Sequence, residues 1–141
     1  MFVSAEFKSQ LLGIRINPKF PLAICDEEEL IGCSEEEIPE IEQSAEFTLP
    51  KAYKDFMRIA GEKSGQFLRD CEFHYPIVIR TNQRCKEFCA KFITLPNPCF
   101  FFLDYIGVTE LFFSNEGDDP PVYKPVVVNG TDTYVQCGTS F

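Results

Sequence analysis

The chain has 141 residues, 45% of them apolar and 15 of them phenylalanine, which suits one domain with its own core and is too apolar for a disordered segment. A formal net charge of −9 and a pI of about 4.6 argue against the basic face that nucleic-acid phosphates require, and suit either plain solubility or a basic partner. Seven cysteines occur, an odd count with no CxxC pair. The start, MFVSAEFKSQLL, lacks the basic residues and long apolar run of a signal peptide, and no window of eighteen apolar residues spells a membrane span. The cysteines therefore read as reduced, mostly buried thiols of a cytoplasmic protein.

In chain order, residues 1–12 could form a short helix anchored by Phe2, Phe7, Leu11 and Leu12. Residues 17–29 read as irregular because of Pro18 and Pro21, with Asp26, Glu27, Glu28 and Glu29 as a solvated acidic patch. Ser34-Glu35-Glu36-Glu37 has the form of a capping box, and Ile38, Ile41 and Ala45 follow at helical spacing. Pro39 fits only within the first turn. Pro50 opens a second helix carrying Tyr53, Phe56, Met57 and Ala60, and Gly61 closes it. Residues 62–75 read as loop. A third helix is predicted over about 76–92, with Val78, Cys85, Phe88, Cys89 and Phe92 on its apolar face.

From residue 95 the pattern changes. CFFFLDY and VTELFFS flank Ile106-Gly107 and read as a hairpin. An acidic, proline-stiffened connector, SNEGDDPP, leads to VYKPVVV, and Asn129-Gly130 then turns into TDTYVQC. Helices first and strands last give an α+β class: N-terminal helices packed on an antiparallel β-meander, in one domain over 1–141.

No nucleophile elbow, zinc-protease, P-loop or dinucleotide motif is present, so neither catalysis nor a cofactor is expected. Cys71-x2-His74 with Cys85-x3-Cys89 offers four soft ligands, but Cys85 and Cys89 fall on an apolar helix face, where thiols act as small hydrophobes. His74 as partner of a cysteine nucleophile is a further alternative, with nothing to single out one of the seven thiols. Asp118-Asp119 lacks the register of a calcium loop. Asp and Asn suit a turn, and Pro120 and Pro121 remove two donors from the next strand's entry.

SEEEIPEIEQSAEFTLPKAYKDFMRIAG resembles the N-terminal motif of the SUKH superfamily, through Ile38, Ile41, Glu42, Leu49, Pro50, Tyr53, Phe56 and Gly61. LPNPCFFFLDYIGVTELFFSNEGDDPPVYKP resembles its strand region, through Phe100 to Leu103, Gly107, Leu111 to Phe113, Asp118, Asp119, Pro121, Val122 and Tyr123. The resemblance covers about 34–141, with 1–33 as an extension. It departs at Gly61-Glu62-Lys63, where many members carry a glycine pair. It also departs at Gly138-Thr139-Ser140-Phe141, where the C-terminal helix usual in the family would begin and is absent from this sequence. The resemblance implies an apolar sheet face left partly bare, to be covered by another packing or a homo-oligomer contact. Many bacterial members are immunity proteins that neutralise toxins, often nucleases, and fungal relatives regulate cell-wall synthesis. It thus implies a non-catalytic protein-binding domain whose partner is a cognate toxin with a basic surface, with no nucleic-acid or membrane partner. The alternative is a cytosolic regulator or scaffold for a protein of its own cell. The expected contact residues are Glu116, Asp118, Asp119 and Tyr123, with Asp26, Glu27, Glu28 and Glu29 as a second patch.

Overall fold

A computed structural model of the protein describes residues 29–65, 67–128 and 131–141, together with a two-stranded antiparallel ribbon of β1 (Arg15–Asn17) and β2 (Phe20–Ala23). The stretch 17–29 is therefore not wholly irregular as expected. A two-stranded ribbon has only edge strands, and these tolerate Pro21. The expected helix over 1–12 and the acidic residues Asp26 to Glu28 lie outside the described residues.

The capping box forms as read. The Ser34 N–H donates to Glu37 Oε1 at 2.8 Å, and the Glu37 N–H donates to Ser34 Oγ at 3.2 Å. Helix α1 (Glu37–Ala45) follows, with Pro39 in its first turn, where the missing N–H breaks no intrahelical bond. Glu46, at φ +67°, ends it. The link to α2 (Lys51–Ala60) is pinned by the Leu49 N–H, which donates to Glu42 Oε2 at 2.8 Å. Pro50 is the cap of α2 rather than its first helical residue. Gly61 closes α2 with φ −70°, so its glycine serves space and not handedness: a Cβ there would meet Cys33 Sγ and Met57 O, each at 2.4 Å. β3 (Leu30–Ile31) pairs with β4 (Lys63–Ser64) beside this closure.

The main sheet has five antiparallel strands in the order β5 (Cys71–Glu72), β6 (Cys99–Tyr105), β7 (Thr109–Ser114), β8 (Val122–Val128) and β9 (Thr131–Gly138). The expected meander is β6 to β9. The stretch 62–75, expected as loop, adds β4 and the edge strand β5, whose two residues each are too short to show an alternation. The β8–β9 register runs to Val128↔Thr131, and Asn129-Gly130, where the turn is expected, lies outside the described residues. Pro125 sits inside β8, yet β8–β9 keeps its ladder, while β7–β8 retains the single registered pair Phe112↔Tyr123.

Sheet alternation splits the phenylalanines between two buried clusters. Phe100, Phe102, Leu103 and Phe113 pack with Ile41, Tyr53, Phe56 and Met57, while Phe101 and Phe112 pack with Cys85, Cys89, Ile93 and Cys99. Phe100 and Phe102 share a side by alternation, and the register shift between Phe101 and Leu103 lets the consecutive residues Phe102 and Leu103 both join the first cluster. Phe141 turns back onto the first cluster, its ring centroid 5.4 Å from Tyr53 and 5.0 Å from Phe102. It covers part of the face that the resemblance leaves bare. Beside it an apolar cavity of about 300 Å³ stays open between Phe56, Phe67, Leu68 and Leu111.

Helix α3 (Ile77–Cys89) includes Ile77-Val78-Ile79, which on its own would pass as a strand. β5 pairs only with Tyr105 and Asp104, and farther along β6 the Phe101 N–H is met by α3: it donates to the buried Asn82 Oδ1 at 2.7 Å. The buried stripe of α3 is therefore Val78, Thr81, Asn82, Cys85 and Cys89. Phe88 and Phe92, expected on it, are instead 54% and 53% exposed. Phe88 is one residue, about 100° of turn, away from Cys89, and the close approach of α3 to the sheet edge selects the smaller side chains.

Asn82→Ala should strand the Phe101 N–H and cost about 2 kcal/mol, seen as a lower urea midpoint with unchanged slope. Phe141→Ala should cost about 2 kcal/mol through lost ring packing, read the same way.

Candidate interaction surface

The acidic connector grows out of the best-packed part of the sheet. Phe112 and Phe113, both fully buried, are the last apolar residues before it, and Pro120 and Val122 are buried at its exit. The Ser114 hydroxyl donates to Pro98 O at 2.5 Å, and the Glu116 N–H donates back to Ser114 O at 2.9 Å. Gly117 turns the chain at φ +96°, a conformation that favours glycine. The Asp118 carbonyl then accepts the Ala52 N–H at 2.9 Å, satisfying one of the donors left open in the first turn of α2.

Four expected contact residues lie on or beside this connector. Glu116, Asp118 and Asp119 are exposed. The Asp119 carboxylate has a structural duty as well, since its Oδ1 accepts the Phe141 N–H at 2.9 Å. Tyr123 is half-buried, with its ring against Phe112 and Tyr134. Its hydroxyl donates to the Glu116 carboxylate, 2.8 Å from Oε2 and 3.0 Å from Oε1. That hydrogen bond, together with burial and the carboxylate's charge, pushes the phenol pKa up. Asp118 and Asp119 thus project from a stiff, doubly anchored loop, with Glu116 held against Tyr123.

The second patch is only partly visible. Asp26, Glu27 and Glu28 are outside the described residues. Glu29 is exposed and lines a cavity of about 450 Å³ with Ile31, Glu62, Lys63, Ser64, Gly65 and His74. None of these residues belongs to the connector, so the structure does not bring Glu29 together with Asp118 and Asp119 in that cavity. Other carboxylates are neutralised inside the fold. Asp55 meets Lys51 at 2.5 Å and Arg58 at 3.1 Å, and Asp104 meets Arg84 at 2.6 Å.

The soft-ligand spacing does not gather. His74 Nε2 lies 2.9 Å from Ser64 Oγ, and burial pushes its pKa down. Burial pushes the thiols of Cys85 and Cys89 up to about 12 and about 11, so they remain neutral packing groups near pH 7. Among the described residues no three His, Cys, Asp or Glu side chains are placed to hold one metal ion.

The sequence reading missed one surface. Phe88 and Phe92 stand at the end of α3 beside Gly107 and Val108 of the β6–β7 turn and Pro125 and Val126 of β8, around a cleft of about 290 Å³. The only available signal was that two phenylalanines lay at the edge of a helical stripe already filled by smaller residues.

Among the described residues, no helix is long and apolar enough to cross a membrane. No curated protein and no solved structure gives a significant match to the chain. A family model does: the one described as SMI1 / KNR4 family (SUKH-1) matches residues 32–141, from the turn before α1 to the last residue. The chain belongs to the SMI1 / KNR4 family (SUKH-1).

Proposed function

We propose that this protein acts by binding another protein, without catalysis, as a cytoplasmic immunity protein that neutralises a cognate bacterial toxin by steric and electrostatic blockade. The observation that carries the reading is the connector: two exposed aspartates held on a backbone tied to α2 and to Phe141, in a chain of net charge −9. Membership of the family is compatible with an immunity or regulatory role in protein binding. A nuclease is the toxin class that suits the charge best, because its substrate site must itself be basic to hold phosphates. Carboxylates set on a pre-organised loop would steer such a surface into contact and lose little entropy on docking.

Family membership is equally compatible with a second reading, a cytosolic regulator or scaffold for a protein of its own cell. A gene neighbourhood without a toxin gene would favour it over the first.

Co-expression with toxin genes of the same locus should relieve the toxicity of one and co-purify its product; no relief and no co-purification would reject the immunity reading. In the complex, Asp118→Asn with Asp119→Asn should weaken affinity about tenfold at low salt and less at high salt, chiefly through slower association. Because asparagine keeps an oxygen able to accept the Phe141 N–H, the melting temperature should change by no more than about 2 °C. An unchanged affinity would return both residues to a turn role.

A further inference from the structure

We infer that the cleft between the end of α3, the β6–β7 turn and β8 is a recognition pocket for a lysine or arginine side chain of a protein partner, presented with apolar neighbours. The inference rests on the reading that the protein works by binding a protein, and it places a contact away from the acidic connector.

The cleft walls are apolar. Phe88 and Phe92 form an edge-to-face pair with centroids 5.3 Å apart, and Val108 is 74% exposed. The second buried cluster is filled by Cys85, Cys89, Ile93, Cys99, Phe101 and Phe112, so the core does not use these two rings. Exposed aromatics beside a depression of this size have the form of anchors for a partner side chain.

One carboxylate tells what the guest is. Glu110 lines the cleft and, among the described residues, is the only acidic side chain there. It is half-buried and stands opposite Asp104 in the β6–β7 register. The nearby cation, Arg84, is committed to Asp104 at 2.6 Å and to Glu72 at 3.2 Å. Among the described residues Glu110 has no ion pair. Burial and then the charge of Asp104 push its carboxyl pKa up, outweighing the opposing effects of a backbone hydrogen bond and of Arg84, so its charged form is under-compensated. Neither Lys86 nor Lys91 lines the cleft. A cation on an apolar stem would resolve both deficits at once: its methylenes cover Phe88 and Phe92, and its charge meets the ring faces and Glu110. A neutral apolar guest would further desolvate Glu110 without pairing it.

The test uses the full chain, ¹⁵N-labelled, with three peptides: acetyl-Leu-Lys-Leu-amide, its norleucine analogue and its glutamate analogue. The lysine peptide should give saturable amide shifts at Phe92, Gly107, Val108 and Glu110, and the norleucine peptide should bind about fivefold more weakly, the size of one partly screened charge pair. Glu110→Gln should abolish that preference, and Phe88→Ala, a change at an exposed position, should weaken both peptides. Equal binding of the lysine and norleucine peptides, or no saturable shift at these amides, overturns the pocket. Concentration-dependent shifts at the same amides without peptide would show a second copy as the occupant and overturn it too. These outcomes hold whatever the co-expression experiment gives, since no toxin enters the measurement.

Discussion

The β6–β7 pair is buried on both faces, and the rest of the structure follows from that. Phe100 opposite Phe113 and Phe101 opposite Phe112 place an aromatic pair on each side of one two-stranded ladder. Each face then needs its own cover. Tyr53, Phe56, Met57 and Phe141 close one side, and Cys85, Cys89 and Ile93 the other. The outer edge needs cover as well, and Asn82 supplies an acceptor for a β6 donor beyond the reach of the short β5. This is why α3 presents small and polar residues to the sheet and turns its phenylalanines away.

That constraint also shapes the surface. The acidic connector leaves β7 after the fully buried Phe112 and Phe113 and returns through buried Pro120 and Val122. Its two ends are fixed by the core and its middle by the Asp118 carbonyl on Ala52. The Asp118 backbone and the Asp119 carboxylate are thus held in place, which would limit the ordering entropy of the proposed encounter. By contrast the buried Asp55 and Asp104 are paired with Lys51, Arg58 and Arg84 and add little to the outward field.

Much of this was legible in the sequence, for identifiable reasons. The capping box of Ser34 and Glu37, the two helices around Pro50 and the meander after residue 95 rest on local chemistry that tertiary contacts reinforce. Strands β4 and β5 were not legible, because two residues carry no period. The stripe of α3 was misread because Phe88 and Phe92 are more hydrophobic than Thr81 and Asn82, whereas the sheet edge selects for size and for an acceptor. The connector was visible as a stiff acidic turn. Its tie to Phe141 through Asp119 spans 22 positions in the chain and leaves no local mark. The cleft around Glu110 draws on three elements, so no single stretch announces it.

The role proposed for the connector is that of a pre-formed contact surface. Amide hydrogen exchange on the free protein and on its complex with the co-purifying partner tests it most directly. Slow exchange is expected at the Ala52 amide in the free protein, and new protection across residues 115–119 in the complex. Protection confined to residues 29–31 and 62–74, with 115–119 unchanged, would contradict it.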